Sequence, residues 1–273
     1  MIIDIHSHDF PDGIAIRAMR GMCAKTVGRL WPIGDGTLAN HLDHMDNAGV
    51  DVAVSCPIAT KPGMFDGIFR RALQIRDGEL GERAKRKIIP FASVHPLDPE
   101  VIEHLEAIAK AGIRGVKFHS FYQEFSLADP RFWPMFRKIA ELGLVVECHC
   151  GEDVSWSDTF GLCGPGEVAT LLENVGGLKF VALHLGGCDG YPAHATDRLM
   201  ELGCYIDTSV LHRHWFRDES MRILRSWPTD RILFGTDFPW EHYPEAIAWV
   251  RSVRESSDLQ MLFSGNAARL LGL

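Results

Sequence analysis

Two histidines one residue apart, His6 and His8 in Ile-Asp-Ile-His-Ser-His, close a short β-branched run near the amino terminus. Side chains alternate along a strand, so both imidazoles point the same way and could share one cation. The pair alone is weak: 13 histidines in 273 residues give roughly 0.6 such pairs by chance. A second pair, His212 and His214, indeed lies in a polar loop, where an exposed histidine is ordinary. What sets the first pair apart is its company. His149 ends Val-Val-Glu-Cys-His, His184 ends Phe-Val-Ala-Leu-His, Asp237 ends Leu-Phe-Gly-Thr-Asp, and Lys117 and His119 close Gly-Val-Lys-Phe-His. Singly, each reads as a hydrogen-bonded structural histidine or a helix cap. Together they are imidazole and carboxylate groups at the ends of separate apolar runs, which is the donor chemistry of a divalent metal site.

The runs matter only if they end in one place. Strands are predicted at Ile2–His6, Asp51–Ser55, Ile88–Val94, Gly115–His119, Leu144–His149, Phe180–Leu185, Tyr205–Thr208 and Ile232–Thr236, mostly continuous apolar stretches as in buried parallel sheets. Helices are predicted near 37–48, 66–86, 98–111, 130–142, 165–175, 192–202, 217–226, 241–256 and 265–271, with Asp98-Pro99 and Asp129-Pro130 as capped starts. Eight alternations point to an α/β fold, a (β/α)8 TIM barrel forming a single domain over residues 1–273. A doubly wound open sheet is the runner-up, but no GxGxxG follows the first strand. Barrel chemistry sits at the C-terminal ends of the strands, which is where His6, His8, Lys117, His119, His149, His184 and Asp237 fall. Alternation also turns Cys148 and Cys150 away from His149, which argues against a mixed thiolate site or a cysteine nucleophile there.

Composition excludes other classes. The net charge of -8 and the lack of a basic stripe argue against nucleic acid as a partner. No apolar run reaches the ~18 residues of a membrane helix, and the amino terminus lacks the pattern of a signal peptide. Seven cysteines without a CxxC pair suit reduced thiols, so the expected location is cytoplasmic. No GxSxG elbow, P-loop or HExxH is present. The expected partner is a small-molecule substrate, with a homo-oligomer possible.

The segments Asp-Ile-His-Ser-His, Gly-Val-Lys-Phe-His, Glu-Cys-His-Cys-Gly, Ala-Leu-His-Leu-Gly-Gly, Ile-Leu-Phe-Gly-Thr-Asp-Phe-Pro-Trp and the closing Ser-Gly-Asn-Ala-Ala-Arg-Leu-Leu-Gly-Leu resemble the amidohydrolase superfamily. The likeness is closer to its amidohydrolase-2 branch, which includes aminocarboxymuconate semialdehyde decarboxylase, and it spans essentially the whole chain. It implies one divalent ion, commonly zinc, on His6, His8, His149 and Asp237, with His184 beside the water that the ion binds. A cation lowers the pKa of such a water from ~15.7 toward ~7. Asp237 could then take the proton and return it to the leaving group, which makes Asp237 and His184 the catalytic candidates. In some superfamily members a carboxylated lysine on the fourth strand bridges two metals. The expectation here is instead an ammonium at Lys117 paired with Glu147 or Asp4, and a second metal only if Lys117 is carboxylated. Lys117, His119 and Trp240 are the candidate substrate contacts. Aromatic residues around the expected mouth (Phe10, Trp31, Phe121, Tyr122, Trp156, Trp215) are compatible with a planar or apolar substrate part, and equally with core packing. The expected activity is hydrolysis of a small amide, ester or lactone. Non-oxidative decarboxylation of a small carboxylic acid is the alternative, and a non-catalytic metal-binding scaffold the third reading.

Overall fold

The computed structural model describes residues 1–26, 28–156, 161–187, 191–210 and 217–273. The His212 and His214 pair, Trp215 and Cys188 lie outside the described residues. Eight parallel strands appear in chain order: β1 (Ile3–Ser7), β2 (Val52–Ser55), β3 (Ile88–Pro90), β4 (Gly115–Phe118), β5 (Val145–Cys148), β6 (Lys179–Ala182), β7 (Tyr205–Asp207) and β8 (Ile232–Leu233). Each strand pairs with its sequence neighbour, as βαβ units do, in the orders β1-β2-β3 and β4-β5-β6-β7-β8. Both seams between these sheets carry backbone hydrogen bonds. Ala92 bridges to Val116, with Lys117 N donating to Ala92 O at 2.9 Å. Ser7 bridges to Phe238, with Ile5 N donating to Phe234 O at 2.8 Å and Asp237 N to His6 O at 2.8 Å. The architecture is that of a (β/α)8 barrel.

Alternating side chains divide the apolar residues into two cores. Ile3, Ile5, Val54, Phe91, Val145, Val181, Leu183 and Leu233 fill the interior, which Ala267, Leu270 and Leu271 of the last helix, Asn266–Leu271, close at one end. A larger outer cluster joins the opposite strand faces to the helices and includes Cys148 and Cys150.

Several boundaries differ from expectation. The helix predicted over 66–86 is two helices, Phe65–Asp77 and Glu82–Lys87, because Gly78 ends the first with a φ of 86°. Asp98 and Asp129 do not cap helices directly. They accept from the backbone N–H of Glu100 and Arg131, making turns after which the helices run Val101–Lys110 and Trp133–Glu141. Two helices lie where none is predicted, Asp12–Lys25 and the short Ser120–Gln123. Among the described residues no helix is long and apolar enough to cross a membrane.

Candidate metal centre and cavity at the strand ends

His6 Nε2, His8 Nε2 and Asp237 Oδ1 converge. The two nitrogens are 3.2 Å apart, and Asp237 Oδ1 stands 3.2 Å from the first and 3.0 Å from the second. Hydrogen bonds on the far side of each ring fix what the near side offers. His8 Nδ1 donates to the carbonyl of Cys56 at 2.7 Å. His6 Nδ1 lies 2.9 Å from Ser209 Oγ and 3.2 Å from Asp207 Oδ2. Each Nε2 is thereby turned toward the other and toward the third group, a carboxylate. Burial, and then the neighbouring Lys117, holds the His6 pKa well below its ordinary value, so the ring stays neutral. Two imidazole nitrogens and a carboxylate oxygen converging at these distances are the donor set of a divalent metal, so these residues fit one.

His149 and His184 form the adjoining part. His184 Nδ1 donates to the carbonyl of Ser209 at 2.5 Å, which leaves its Nε2 as acceptor, 2.9 Å from His149 Nδ1. His149 Nε2 is buried without a hydrogen-bond partner. Burial and the stacked His119 ring, 4.1 Å away, lower the His149 pKa well below the ordinary value. His119 is held by Asp153 at 3.2 Å, and burial lowers its pKa too. Burial would raise the Asp153 carboxyl, but its bond to His119 brings it below the usual value. The structure thus groups His149 with His119 and Asp153, and His6 and His8 with Asp237. His184 stands between the groups, its ring 4.6 Å from that of His149 and 5.3 Å from that of His6.

Backbone geometry positions these groups at some conformational cost. His184 and Leu185 adopt left-handed φ values of 60° and 55°, and Asp237 one of 57°. Asp207 secures the first of these turns: its Oδ1 accepts from His184 N at 2.7 Å while its Oδ2 faces His6. Asp207 and Ser209, at the end of β7, were missed in the sequence, although the end of a strand was the signal applied to the other seven residues. The Gly235 of Gly-Thr-Asp also has a physical reason. A Cβ there would lie 2.4 Å from Asp207 Oδ2.

Lys117 departs from expectation. Among the described residues no carboxylate comes within ion-pair distance, and Nζ instead lies 2.7 Å from His6 Nε2. Glu147 stands beside Lys117 in the strand register, but its Oε2 accepts from the Cys56 thiol at 2.8 Å, and burial pushes its pKa up to about 8. Asp4 is bound to Thr236, accepting from Oγ1 at 2.7 Å and from N at 3.0 Å. The register of β1 is irregular between Asp4 and Ser7, which breaks the simple alternation that had placed Asp4 with Lys117.

A cavity of about 660 Å³ opens over both groups. His6, His8, Lys117, His119, His149, His184, Asp237 and Trp240 all line it. Among the other aromatic residues Phe10 and Tyr122 also reach it, whereas Trp31 is exposed and Phe121 stacks on Trp156.

A family model described as Amidohydrolase matches residues 3–273. No curated protein matches the chain. Among solved structures, an uncharacterized TIM-barrel protein from Bordetella bronchiseptica superposes with a TM-score of 0.74 at 17% identity, covering 99% of this chain and 98% of the other. A probable 2-pyrone-4,6-dicarboxylic acid hydrolase from Acinetobacter baumannii superposes at 0.70 and 16%, over 100% and 99% of the two chains. The 5-carboxyvanillate decarboxylase of Sphingomonas paucimobilis does so at 0.69 and 15%, over 100% and 99%. At such identities the likeness is one of fold.

Proposed function

This chain belongs to the amidohydrolase family, and on that premise we propose that it hydrolyses a small amide, ester or lactone with a single zinc ion held by His6, His8, His149 and Asp237. The observation that carries the reading is the convergence of two imidazole nitrogens and a carboxylate oxygen within 3.2 Å of one another. The unpartnered His149 Nε2 is the fourth donor. When bound, such an ion acidifies water and polarises a carbonyl.

The protein's own residues supply the rest. Asp207 and Ser209 hold the His6 ring with its Nδ1–H turned away from the site, and the Cys56 carbonyl does the same for His8. The Asp237 carboxylate takes the proton that the attacking water gives up and passes it to the leaving group. His184, anchored through Nδ1, steadies the His149 ring through its Nε2 and stands beside the attacking water. Lys117 is an unmodified ammonium beside His6, and the Trp240 ring bounds the substrate. His119, already engaged by Asp153, shapes the wall around His149. The free cysteines among the described residues accord with a cytoplasmic location.

The test is a panel of lactones, esters, amides and aromatic or enoic carboxylic acids incubated with zinc-loaded protein, with products identified by mass. Hydrolysis of at least one class, lost in Asp237→Asn, is the expected result. Carbon dioxide release with no hydrolysis would replace this reading by decarboxylation, the reaction named for the Sphingomonas neighbour. No turnover despite full metal content would favour the scaffold.

A further inference from the structure

The cavity does not end at the ligand groups. Helix Asp12–Lys25 lends it Ile14, Ala18 and Met22, spaced four apart and therefore on one helix face. Ile58, Met64 and Ile68, from the segment after β2 and the start of the next helix, line the same space. Ile14 stays 39% exposed, and Met22, Ile58, Met64 and Ile68 are only partly covered. Apolar side chains left partly uncovered around a cavity are favourably covered by an apolar guest.

Charge narrows the guest further. The described lining holds two basic side chains, Arg71, paired with Asp9, and Lys117, which sits at the ligand groups, so neither is free in the arm. Arg71 Nη2 donates to the buried Asp9 at 2.5 Å, and Lys117 Nζ meets His6 at 2.7 Å. Asp9, Glu152, Asp153 and Asp237 line the cavity with the opposite sign. A substrate carboxylate in this arm would find no unpaired arginine or lysine among the described residues, and would lose its hydration.

We propose that the substrate carries an uncharged hydrocarbon arm, alkyl or aryl, seated against Ile14, Met22, Ile58, Met64 and Ile68, with its polar reactive group at His6, His8 and Asp237. The class is an ester, amide or lactone with a hydrophobic substituent, as distinct from a dicarboxylate. The placement of the reactive group rests on the hydrolase reading; the arm does not.

Calorimetric titration of zinc-loaded protein with alkyl hydroxamic acids from acetyl to octanoyl tests both parts. Affinity is expected to rise about three- to fourfold per methylene until the arm is full. The hydroxamate of octanedioic acid, with a carboxylate at its far end, is expected to bind at least tenfold more weakly than the octanoyl compound. In Ile68→Asp the dependence on chain length should flatten while acetohydroxamate binding stays within twofold of wild type. A second readout uses metal-free protein: octanamide should displace the apolar dye Nile red, and suberamic acid should not. Hydroxamates that fail to bind while octanamide still displaces the dye would remove the metal reading and leave the arm intact. Octanoyl binding no tighter than acetyl, or equal displacement by suberamic acid, would overturn the arm.

Discussion

Replacing Asp207 by Asn isolates one function of that carboxylate. Asp207 is fully buried and uses its two oxygens differently, Oδ1 for His184 N at 2.7 Å and Oδ2 for His6 Nδ1 at 3.2 Å. An asparagine that keeps the bond to His184 N must turn its amide nitrogen toward His6 Nδ1. Two donors then face each other, and His6 is driven to the tautomer that carries its proton on Nε2, where the lone pair is needed for metal. Ser209 Oγ, 2.9 Å from the same Nδ1, can still accept, so the loss is partial. Changes to groups that orient a metal-ligating histidine cost about 10–100-fold in metal affinity, or about 1.4–2.7 kcal/mol, and that is the expected range. The effect on folding should have the opposite sign. Burial raises the Asp207 pKa, so the ionised carboxyl weakens the folded state as pH rises through that value, and a neutral side chain removes the penalty. Chelator competition with a zinc indicator reads the affinity, and thermal unfolding of the metal-free protein reads the stability. Zinc affinity within twofold of wild type, with a folded variant, would refute the argument. Gly235→Ala, which crowds the same Oδ2, should weaken zinc binding in the same direction.

Three other outcomes follow from the same geometry. Protein purified without added metal should contain close to one transition-metal ion per chain by elemental analysis, and the double variant His6→Ala, His8→Ala should contain none; unchanged content would mean that the ion sits elsewhere. Lys117 should remain an unmodified amine after growth with bicarbonate and excess zinc, so a structure showing a carboxylate on its Nζ between two ions would overturn the single-metal reading. Burial pushes the Cys204 thiol up to about 12 and those of Cys56, Cys150 and Cys163 well above the ordinary value, while Cys23 is only partly buried. Iodoacetamide at pH 8 should therefore label Cys23 and spare Cys56, Cys150, Cys163 and Cys204, as peptide mapping by mass would show, and raising the pH to about 9.5 should change this little, because those four thiols remain protonated there.

How much of this the chain disclosed depends on the kind of contact. Parallel strands buried on both faces must be short apolar runs, so all eight were legible as such, and the ligand-type residues stood out where each run stopped. Six of the strands, β3 to β8, are nevertheless shorter than the runs at their C-terminal ends. β6 stops at Ala182 and β8 at Leu233, and the following residues leave the ladder to place His184 and Asp237 in left-handed turns. Local pattern reaches as far as the single strand and no further. Simple alternation offers Lys117 either Glu147 or Asp4, but one irregularity in β1 between Asp4 and Ser7 sends Asp4 to Thr236, and Glu147 accepts from the Cys56 thiol. Asp207 sits 201 residues from His6 and 23 from His184, and no periodicity connects them; only the closing of β8 against β1 does. Helix Asp12–Lys25 was hidden for a different reason. Its Gly13 and Gly21 weaken the propensity, and Ile14, Ala18 and Met22 face a cavity where a core-facing helix would bury them, so the apolar signal lacks the strength it has elsewhere. That weakness carries information. A helix beside the strand ends, with an apolar face that its own chain leaves partly uncovered, is where a barrel would vary to receive a substrate, and the part of this protein least legible in the sequence is the part that sets what it binds.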